Sequence, residues 1–241
     1  MAGLFHRKKK SEGPFCSAVV AAAGSSTRME GQDKMLAILD GMPVLGRTLL
    51  VLQECPLIHE IVIVTRGDLI PSVGQLCQDF YITKAAKVVA GGDTRTRSVL
   101  HGISECSPQA ELIAIHDGAR PLVTREVLEE VLVRGAETGA AAPAVPVKDT
   151  IKEARDGLIT VTPDRSALYA VQTPQVFEAG LIKAALTRAE EEGLSLTDDC
   201  AAVERLGMKV SLTRGTYENI KITTPVDIVL GEAILAWRES Q

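Results

Sequence analysis

The sequence predicts an α/β fold, namely a three-layer sandwich with a mostly parallel, Rossmann-like twisted sheet and an inserted β-hairpin arm. First, apolar runs alternate with amphipathic helices along the chain, which is the element order of parallel-sheet proteins. Second, most of these runs are near-continuous rather than alternating, as expected for strands that are covered on both faces. Third, short alternating pieces replace this pattern between Val145 and Thr173, which indicates a hairpin.

Five apolar runs are predicted to form the strands of the sheet. In chain order they are FCSAVVAAA, EIVIVTRG, AKVVAGG, ELIAIHDG and GAAAPAVPVKDT. Helices are predicted where apolar residues recur at three- and four-residue steps, as in VLGRTLLVLQEC, TRTRSVLHGISEC and TREVLEEVLVRGAE. A last helix, with Thr224 as N-cap, Pro225 at its first position and Asp227 in its first turn, should close the domain.

The hairpin is predicted from three short pieces, TIKEAR, GLITVTP and ALYAVQT. Its turn is placed at Asp156 and Gly157, because an Asp-Gly pair favours the tight turn of a two-residue hairpin loop. We therefore expect residues 15–241 to form one domain, with a β-arm at about residues 145–170. Residues 1–14 are predicted to be a basic flexible tail.

Composition excludes several classes of protein. A net charge of −5 gives no overall basic footprint for nucleic acid. No apolar run approaches the roughly 20 residues of a membrane span, and no secretory signal is recognised, so a cytoplasmic location without membrane contact is expected. The five cysteines are scattered, which fits neither a disulfide framework nor paired metal ligands. Any divalent metal should therefore be held by oxygen ligands and by the substrate.

The strand ends carry the candidate functional residues. In parallel α/β sheets, ligands bind at the carboxyl ends of the strands. The first strand is followed by small residues and then by Arg28 and Lys34, the third by Gly92, Asp93 and Ser98, and the fourth ends at Asp117. We expect all of these to converge on one cleft.

The first loop is predicted to hold an anion. Small residues let backbone N–H groups approach a phosphate, and a following helix start adds its positive end. Arg28 and Lys34 add two cations, which suits a triphosphate whose outer part leaves as pyrophosphate. An ordinary surface Arg and Lys beside a tight turn is the alternative that the loop alone leaves open.

The other strand ends also have two interpretations each. Asp117 could accept ribose hydroxyls or help to hold Mg²⁺, or it could simply cap the next helix. Asp93 and Ser98 could recognise a base, or the GGD sequence could be a turn with an N-capping aspartate. Lys221 lies in a β-like run, where it either meets an anion or faces water from an edge strand.

Seven segments, in order across nearly the whole chain, resemble the 2-C-methyl-D-erythritol 4-phosphate cytidylyltransferase family. They are AAAGSSTRM, GGDTRTRSVLHGI, HDGARP, PVKDTIK, DRSALYAVQTPQVF, TDD and ENIKITTPVD. The resemblance implies that CMP is transferred from CTP to 2-C-methyl-D-erythritol 4-phosphate, with Mg²⁺. Pyrophosphate and 4-diphosphocytidyl-2-C-methyl-D-erythritol would be released, in the non-mevalonate route to isoprenoids.

The resemblance also implies roles for individual residues. Arg28 and Lys34 match the cations that stabilise the transition state, while Arg165 and Lys221 match those that position the acceptor's phosphate. Residues matched to the nucleotide are Ala22, Ala23, Gly24, Gly92, Asp93, Ser98 and Asp117, the last also near the metal. Residues matched to the acceptor side are Arg120, Thr150, Thr173 and Thr197. The arm matches one that crosses to a second subunit, so a homodimer is expected in which Arg165 acts in the neighbour's site.

The chain departs from the family pattern at several positions, and alternative functions stay open. Ser26 and Asp33 replace a usual glycine and proline, the interval from Arg28 to Lys34 is one residue short, and Gly118 replaces a frequent alanine. A cytidylyltransferase for another polyol phosphate, such as ribitol 5-phosphate, shares much of this layout, although HDGARP favours methylerythritol phosphate. A non-catalytic nucleotide-binding protein is the other alternative. A dinucleotide-dependent oxidoreductase is disfavoured because G-x-G-x-x-G is absent.

Overall fold

The computed structural model describes residues 13–24 and 33–241. In chain order, its strands and helices are β1 (Cys16–Ala22), β2 (Ile38–Leu39), β3 (Met42–Pro43), α1 (Val44–Glu54), β4 (Glu60–Thr65), α2 (Ile70–Asp79), β5 (Ala85–Ala90), α3 (Arg95–Ser104), β6 (Leu112–Asp117), α4 (Arg125–Thr138), β7 (Ala140–Pro146), β8 (Glu153–Arg155), β9 (Leu158–Val161), β10 (Tyr169–Val171), β11 (Gln175–Glu178), α5 (Ala179–Glu191), α6 (Cys200–Arg205), β12 (Ser211–Arg214) and α7 (Pro225–Glu239).

The central sheet is mostly parallel, as predicted. Within the described residues it has eight strands, and β5, β4, β1 and β6 lie side by side in parallel at one end. The antiparallel β11 joins β6 to β7, and β12 pairs with β7 in parallel on its other edge. In register, Ala22 lies opposite Thr65 and Ala21 opposite Asp117, so the carboxyl ends of β4, β1 and β6 meet at one edge of the sheet.

Helices cover both faces of the sheet, which explains the near-continuous apolar strands. Along β1, Ala18, Val20 and Ala22 pack into one core with residues of α1, α2 and α4, whereas Val19 packs into a second core with residues of α3, α5 and α6. Residues at alternate positions of the strand therefore face two different cores. The predicted three-layer arrangement is confirmed.

The predicted capping of the last helix is confirmed in the structure. α7 begins at Pro225, directly after its N-cap Thr224. The Asp227 carboxylate accepts hydrogen bonds from the backbone N–H groups of Thr223 and Thr224, at 2.8 Å each. Because these N–H groups have no partner within the helix, the aspartate fixes the chain's entry into α7. No helix in the described part of the chain is long and apolar enough to cross a membrane.

Two of the three pieces predicted for the hairpin form it, as β8 and β9, which pair antiparallel. The third piece, ALYAVQT, instead contains β10, which pairs with β7 of the central sheet. Asp156 and Gly157 form its turn, with φ values of 50° and 79°, which agrees with the two-residue turn expected from their residue types. Every residue of both strands is exposed, including the apolar Leu158 and Ile159. The hairpin therefore has no core of its own in the single chain.

Tight packing of α3 against the sheet gives a first prediction. A Cβ added at Gly102 would lie 2.5 Å from Val19 Cγ1 and 2.6 Å from Val64 Cγ2, whereas one at Gly74 in α2 would meet nothing within 4 Å. Gly102→Ala should destabilise the protein by about 1–3 kcal/mol through overpacking. The matched control, Gly74→Ala, should stabilise it by about 0.5–1 kcal/mol, because alanine is the better helix former. Urea unfolding measures the free energy of unfolding of both variants. A Gly102→Ala protein as stable as the wild type would contradict the close packing of Gly102 against Val19 and Val64.

Candidate active site

A cleft of about 400 Å³ opens at the carboxyl ends of β1, β5 and β6. Its lining combines backbone from loops rich in small residues with several charged side chains. The lining residues are Ala21, Ala23, Gly24, Lys34, Met35, Gly92, Asp93, Thr94, Arg95, Ser98, Asp117, Ala119 and Lys221. The strand ends predicted from the sequence therefore do converge on one cleft.

The loop after β5 requires glycine at two positions because other groups approach its backbone closely. A Cβ at Gly91 would lie 2.5 Å from Ala23 Cβ, and one at Gly92 would lie 2.5 Å from Arg97 Cβ. The Ser98 hydroxyl accepts a hydrogen bond from Gly92 N at 3.1 Å and so holds the loop against α3. This close approach brings the loops after β1 and β5 together at the cleft.

The helix after this loop is capped by Thr94, which corrects one of the alternatives drawn from the sequence. Thr94 Oγ1 accepts a hydrogen bond from Arg97 N at 3.0 Å. Asp93, which was considered as that cap, instead has a side chain that is 91% exposed and lies 3.3 Å from Arg97 Nη1. Its carboxylate is therefore placed at the cleft rather than used to start the helix.

Asp117, the last residue of β6, is surrounded by three cations. Its carboxylate lies 2.8 Å from Lys221 Nζ, 3.5 Å from Arg120 Nε and 3.9 Å from Arg95 Nη2. Burial opposes ionisation of this carboxyl, but Lys221, Arg95 and Arg120 outweigh that effect and lower the pKa of Asp117 to about 2. Asp117 is therefore ionised, and three positively charged side chains surround it.

Behind Asp117, a chain of hydrogen bonds fixes the strand end. Thr173 Oγ1 accepts from Asp117 N at 3.0 Å and lies 3.0 Å from His116 Nδ1, while His116 Nε2 lies 3.2 Å from the Arg120 carbonyl. A carbonyl can only accept, so Nε2 carries the proton and Nδ1 accepts from the threonine hydroxyl. Complete burial lowers the pKa of His116 to about 4, so its ring is neutral. These contacts hold the backbone of Asp117 in place.

Arg95 and Asp199 form a second ion pair, in which the carboxylate is buried and the guanidinium is partly exposed, and no sequence signal singled this pair out. Two guanidinium nitrogens of Arg95 lie 2.8 and 2.6 Å from the two carboxylate oxygens of Asp199. Burial raises the pKa of Asp199, and the bidentate contact with Arg95 opposes that rise. Asp199 N in turn donates to Gln175 Oε1 at 3.0 Å. The start of α3 is thereby joined to the TDD segment and to β11.

Most of the residues predicted to bind the nucleotide, or to act as catalytic cations, lie together in the structure. Those that line the cleft are Ala23, Gly24, Lys34, Gly92, Asp93, Ser98, Asp117 and Lys221. Ala22 is buried beneath it, with 1% of its surface exposed. Arg28 lies outside the described residues, so its predicted role stays a prediction.

The residues predicted for the acceptor side are placed differently. Thr173 is buried with its hydroxyl engaged by His116 and Asp117, and Arg120 donates to the Asn219 carbonyl at 2.7 Å. Both lie next to Asp117 in the single chain, and their predicted contact with the acceptor stays a prediction. Thr150, Arg165 and Thr197 are exposed and do not line the cleft of the same chain.

The cleft fits a metal that arrives with its substrate. Among the described residues, no group of three or more His, Cys, Asp or Glu side chains is arranged to hold a metal ion. Asp117 supplies one carboxylate beside the loops that would hold a polyphosphate. Mg²⁺ is commonly bound by one or two carboxylates together with substrate phosphates and water, so this donor set suits it.

The fold and the cleft together define a nucleotide-binding α/β protein of the transferase type, with a glycine-rich loop, a cation-lined pocket and an acidic residue at the end of a central strand. Residues 16–237 match the family model for 2-C-methyl-D-erythritol 4-phosphate cytidylyltransferase. The chain belongs to this family.

Individual relatives agree with the family model. A 2-C-methyl-D-erythritol 4-phosphate cytidylyltransferase of Caldanaerobacter subterraneus is 48% identical, with 91% of this chain and 98% of the relative covered. One of Desulforamulus reducens is 45% identical, with 92% and 96% covered. Among solved structures, the 4-diphosphocytidyl-2C-methyl-D-erythritol synthase of Anaerococcus prevotii superposes with a TM-score of 0.83 at 31% identity and covers 93% of this chain and 97% of its own.

The charge on Asp117 predicts how stability depends on pH. Because the pKa of Asp117 is about 2 in the folded state and its ordinary value is 3.8, its ion pairs stabilise the protein above pH 4 and lose this effect as the pH falls toward 2. The free energy of unfolding of the wild type should exceed that of Asp117→Asn by about 2 kcal/mol at pH 6 and by about half of that at pH 3. Urea unfolding at each pH measures the difference. A difference in the free energy of unfolding that does not change with pH would show that the pKa of Asp117 is not lowered in the folded state.

Proposed function

We propose that the chain transfers the cytidylyl group of CTP to 2-C-methyl-D-erythritol 4-phosphate. The observation that carries this proposal is the cleft itself, where Lys34, Lys221 and Asp117 meet the glycine-rich loop in a chain of this family. A phosphate oxygen of the acceptor attacks the α-phosphorus of CTP. The bond from that phosphorus to the oxygen that bridges to the β-phosphate breaks, and pyrophosphate leaves.

This reaction requires no general base from the protein. A phosphate monoester has a second pKa of about 6, so its oxygen is already a competent nucleophile at neutral pH. His116 is neutral and fully buried, with both ring nitrogens engaged. Burial raises the pKa of the Cys16 and Cys106 thiols to about 12, so these are not nucleophiles either. The contribution of the chain is therefore alignment and charge.

The cations of the cleft are assigned to the charges of the substrates. Lys34 Nζ lies 3.7 Å from the position of a Cβ at Gly24, so its ammonium group reaches the loop after β1, where the triphosphate would bind. Arg28 is assigned to the same triphosphate. Lys221 is assigned to the acceptor's phosphate, which it would meet from beside Asp117. Mg²⁺ would be held by Asp117 and the phosphates, and when bound it neutralises charge on the triphosphate.

The acceptor site is completed, in this proposal, by a second copy of the chain. Arg165 is exposed and donates a hydrogen bond to the Lys148 carbonyl at 2.8 Å, so it does not reach the cleft of its own chain. The hairpin of β8 and β9 next to it leaves Leu158 and Ile159 72% and 66% exposed. A partner subunit would cover these side chains, and the arm would carry Arg165 and Thr150 to the partner's cleft.

Release of pyrophosphate from CTP with different acceptors tests the proposed reaction. With Mg²⁺, 2-C-methyl-D-erythritol 4-phosphate should support turnover, and ribitol 5-phosphate should support at least about a hundredfold less, since a cleft built for one polyol leaves polar groups unpaired with another. Mass spectrometry of the product identifies the cytidylyl conjugate. Equal turnover with both acceptors would favour the broader polyol-phosphate enzyme, and CTP binding without turnover would favour a nucleotide-binding protein without catalysis.

Subunit mixing tests whether Arg165 acts in the partner's site. Arg165→Gln and Lys221→Gln should each lose most activity as homodimers. When the two variants are co-expressed with different tags, each heterodimer regains one intact site, so the mixture should recover about a quarter of wild-type activity. The control is co-expression of two differently tagged copies of the same variant. Absence of recovery in a purified heterodimer would place both residues in the site of one chain.

A further inference from the structure

The turn that carries Lys34 is held on both sides of this residue. On the preceding side, Asp33 Oδ1 accepts a hydrogen bond from Met35 N at 2.8 Å, and its carbonyl accepts from Leu36 N at 3.1 Å. On the following side, the Met35 side chain is 3% exposed in the core, and its carbonyl accepts from Leu45 N at 3.0 Å. The backbone that presents Lys34 to the cleft is therefore fixed by local bonds of Asp33 and by the burial of Met35.

Asp33 is itself tied to the sheet by an ion pair. Arg66 Nη1 lies 2.6 Å from Asp33 Oδ2. Arg66 follows Thr65, the last residue of β4, which is fully buried and whose carbonyl accepts from Gly91 N at 2.7 Å. The base of the Lys34 turn is thus attached to the buried end of β4.

This ion pair differs from the other contact of the same arginine. The Asp33 side chain is 14% exposed, whereas Asp68, whose carboxylate lies 3.2 Å from Arg66 Nε, is 67% exposed. Exposed ion pairs are weakened by water and salt, while sheltered ones are screened much less. Arg66 therefore has one sheltered partner, at the Lys34 turn, and one exposed partner away from it.

We propose that Arg66 is a positioning residue, which through Asp33 holds the ammonium group of Lys34 where the triphosphate of CTP binds. Lysine is a point charge on a long flexible stem, so its base must be fixed if the charge is to meet the leaving pyrophosphate. This inference rests on the proposed function, since it assumes that Lys34 acts on CTP.

Three single variants separate this role from a general effect on the fold. Arg66→Gln removes the cation, and Asp33→Asn removes the ion pair while an amide oxygen can still accept from Met35 N. Both should lower kcat/KM for CTP on the order of tenfold, and the double variant should lose no more than either alone. The matched control, Asp68→Asn, breaks only the exposed contact and should stay within about twofold of the wild type. The urea midpoints should differ little.

Coupling to Lys34 is the decisive measurement. In a Lys34→Gln background, Arg66→Gln should have no further effect, because the residue that it positions is gone. The CTP dissociation constants of the wild type, both single variants and the double variant are also measured by calorimetry. These constants report the coupling between Arg66 and Lys34 even where turnover is slow.

Three results would overturn the inference while leaving the proposed function intact. These are wild-type kinetics for Arg66→Gln, an Arg66→Gln effect that persists undiminished with Lys34→Gln, and a loss in Asp68→Asn as large as that in Arg66→Gln. If Lys34→Gln alone has wild-type kinetics and CTP affinity, the assumed role of Lys34 fails, and the inference fails with it.

Discussion

The cleft depends on one buried negative charge, the carboxylate of Asp117 at the end of the central strand β6. Placing a charge there is costly unless cations and hydrogen bonds compensate for the lost water. Lys221, Arg95 and Arg120 come from three separate parts of the chain, and each contributes a cation. The same electrostatic requirement that keeps Asp117 ionised therefore draws the start of α3, the loop after β6 and the segment before α7 to one point.

This arrangement also prepares the site for an anionic substrate. The three cations around Asp117 would repel one another if the carboxylate were absent, so the carboxylate lets them stand close together before any ligand binds. A polyphosphate that enters the cleft meets positive groups that are already in place. Preorganised charge of this kind avoids the cost of reorganising the protein during the reaction.

Local patterns in the sequence were sufficient to predict the fold and the convergence of the strand ends on one cleft. Continuous apolar runs indicate parallel strands that are covered on both faces. The carboxyl ends of such strands lie at the same edge of the sheet, so the sequence alone predicted that Gly92, Asp93 and Asp117 lie close together. The capping of α7 and the Asp156-Gly157 turn were predictable for the same reason, because each depends on neighbouring residues only.

Contacts between residues that are distant in the chain could not be predicted from the sequence. Arg95 and Asp199 are 104 positions apart, and nothing near either residue indicates the other. Likewise, nothing in the sequence indicates that Thr173 contacts Asp117 N or that Arg120 contacts the Asn219 carbonyl, because each pair is far apart in the chain. The place of Arg165 depends on a second chain in our proposal, and a single sequence carries no geometric information about that chain.

The path of the chain between the arm and Asp117 has a mechanical consequence. β10 and β11 lie along the same edge of β7, since β12 occupies the other edge. The link between them is bonded to the sheet, because Gln172 N donates to the Pro143 carbonyl at 2.8 Å and Thr173 contacts Asp117 N. A displacement of β10 would therefore strain the hydrogen bonds of Gln172 and Thr173, which couples this strand to the end of β6.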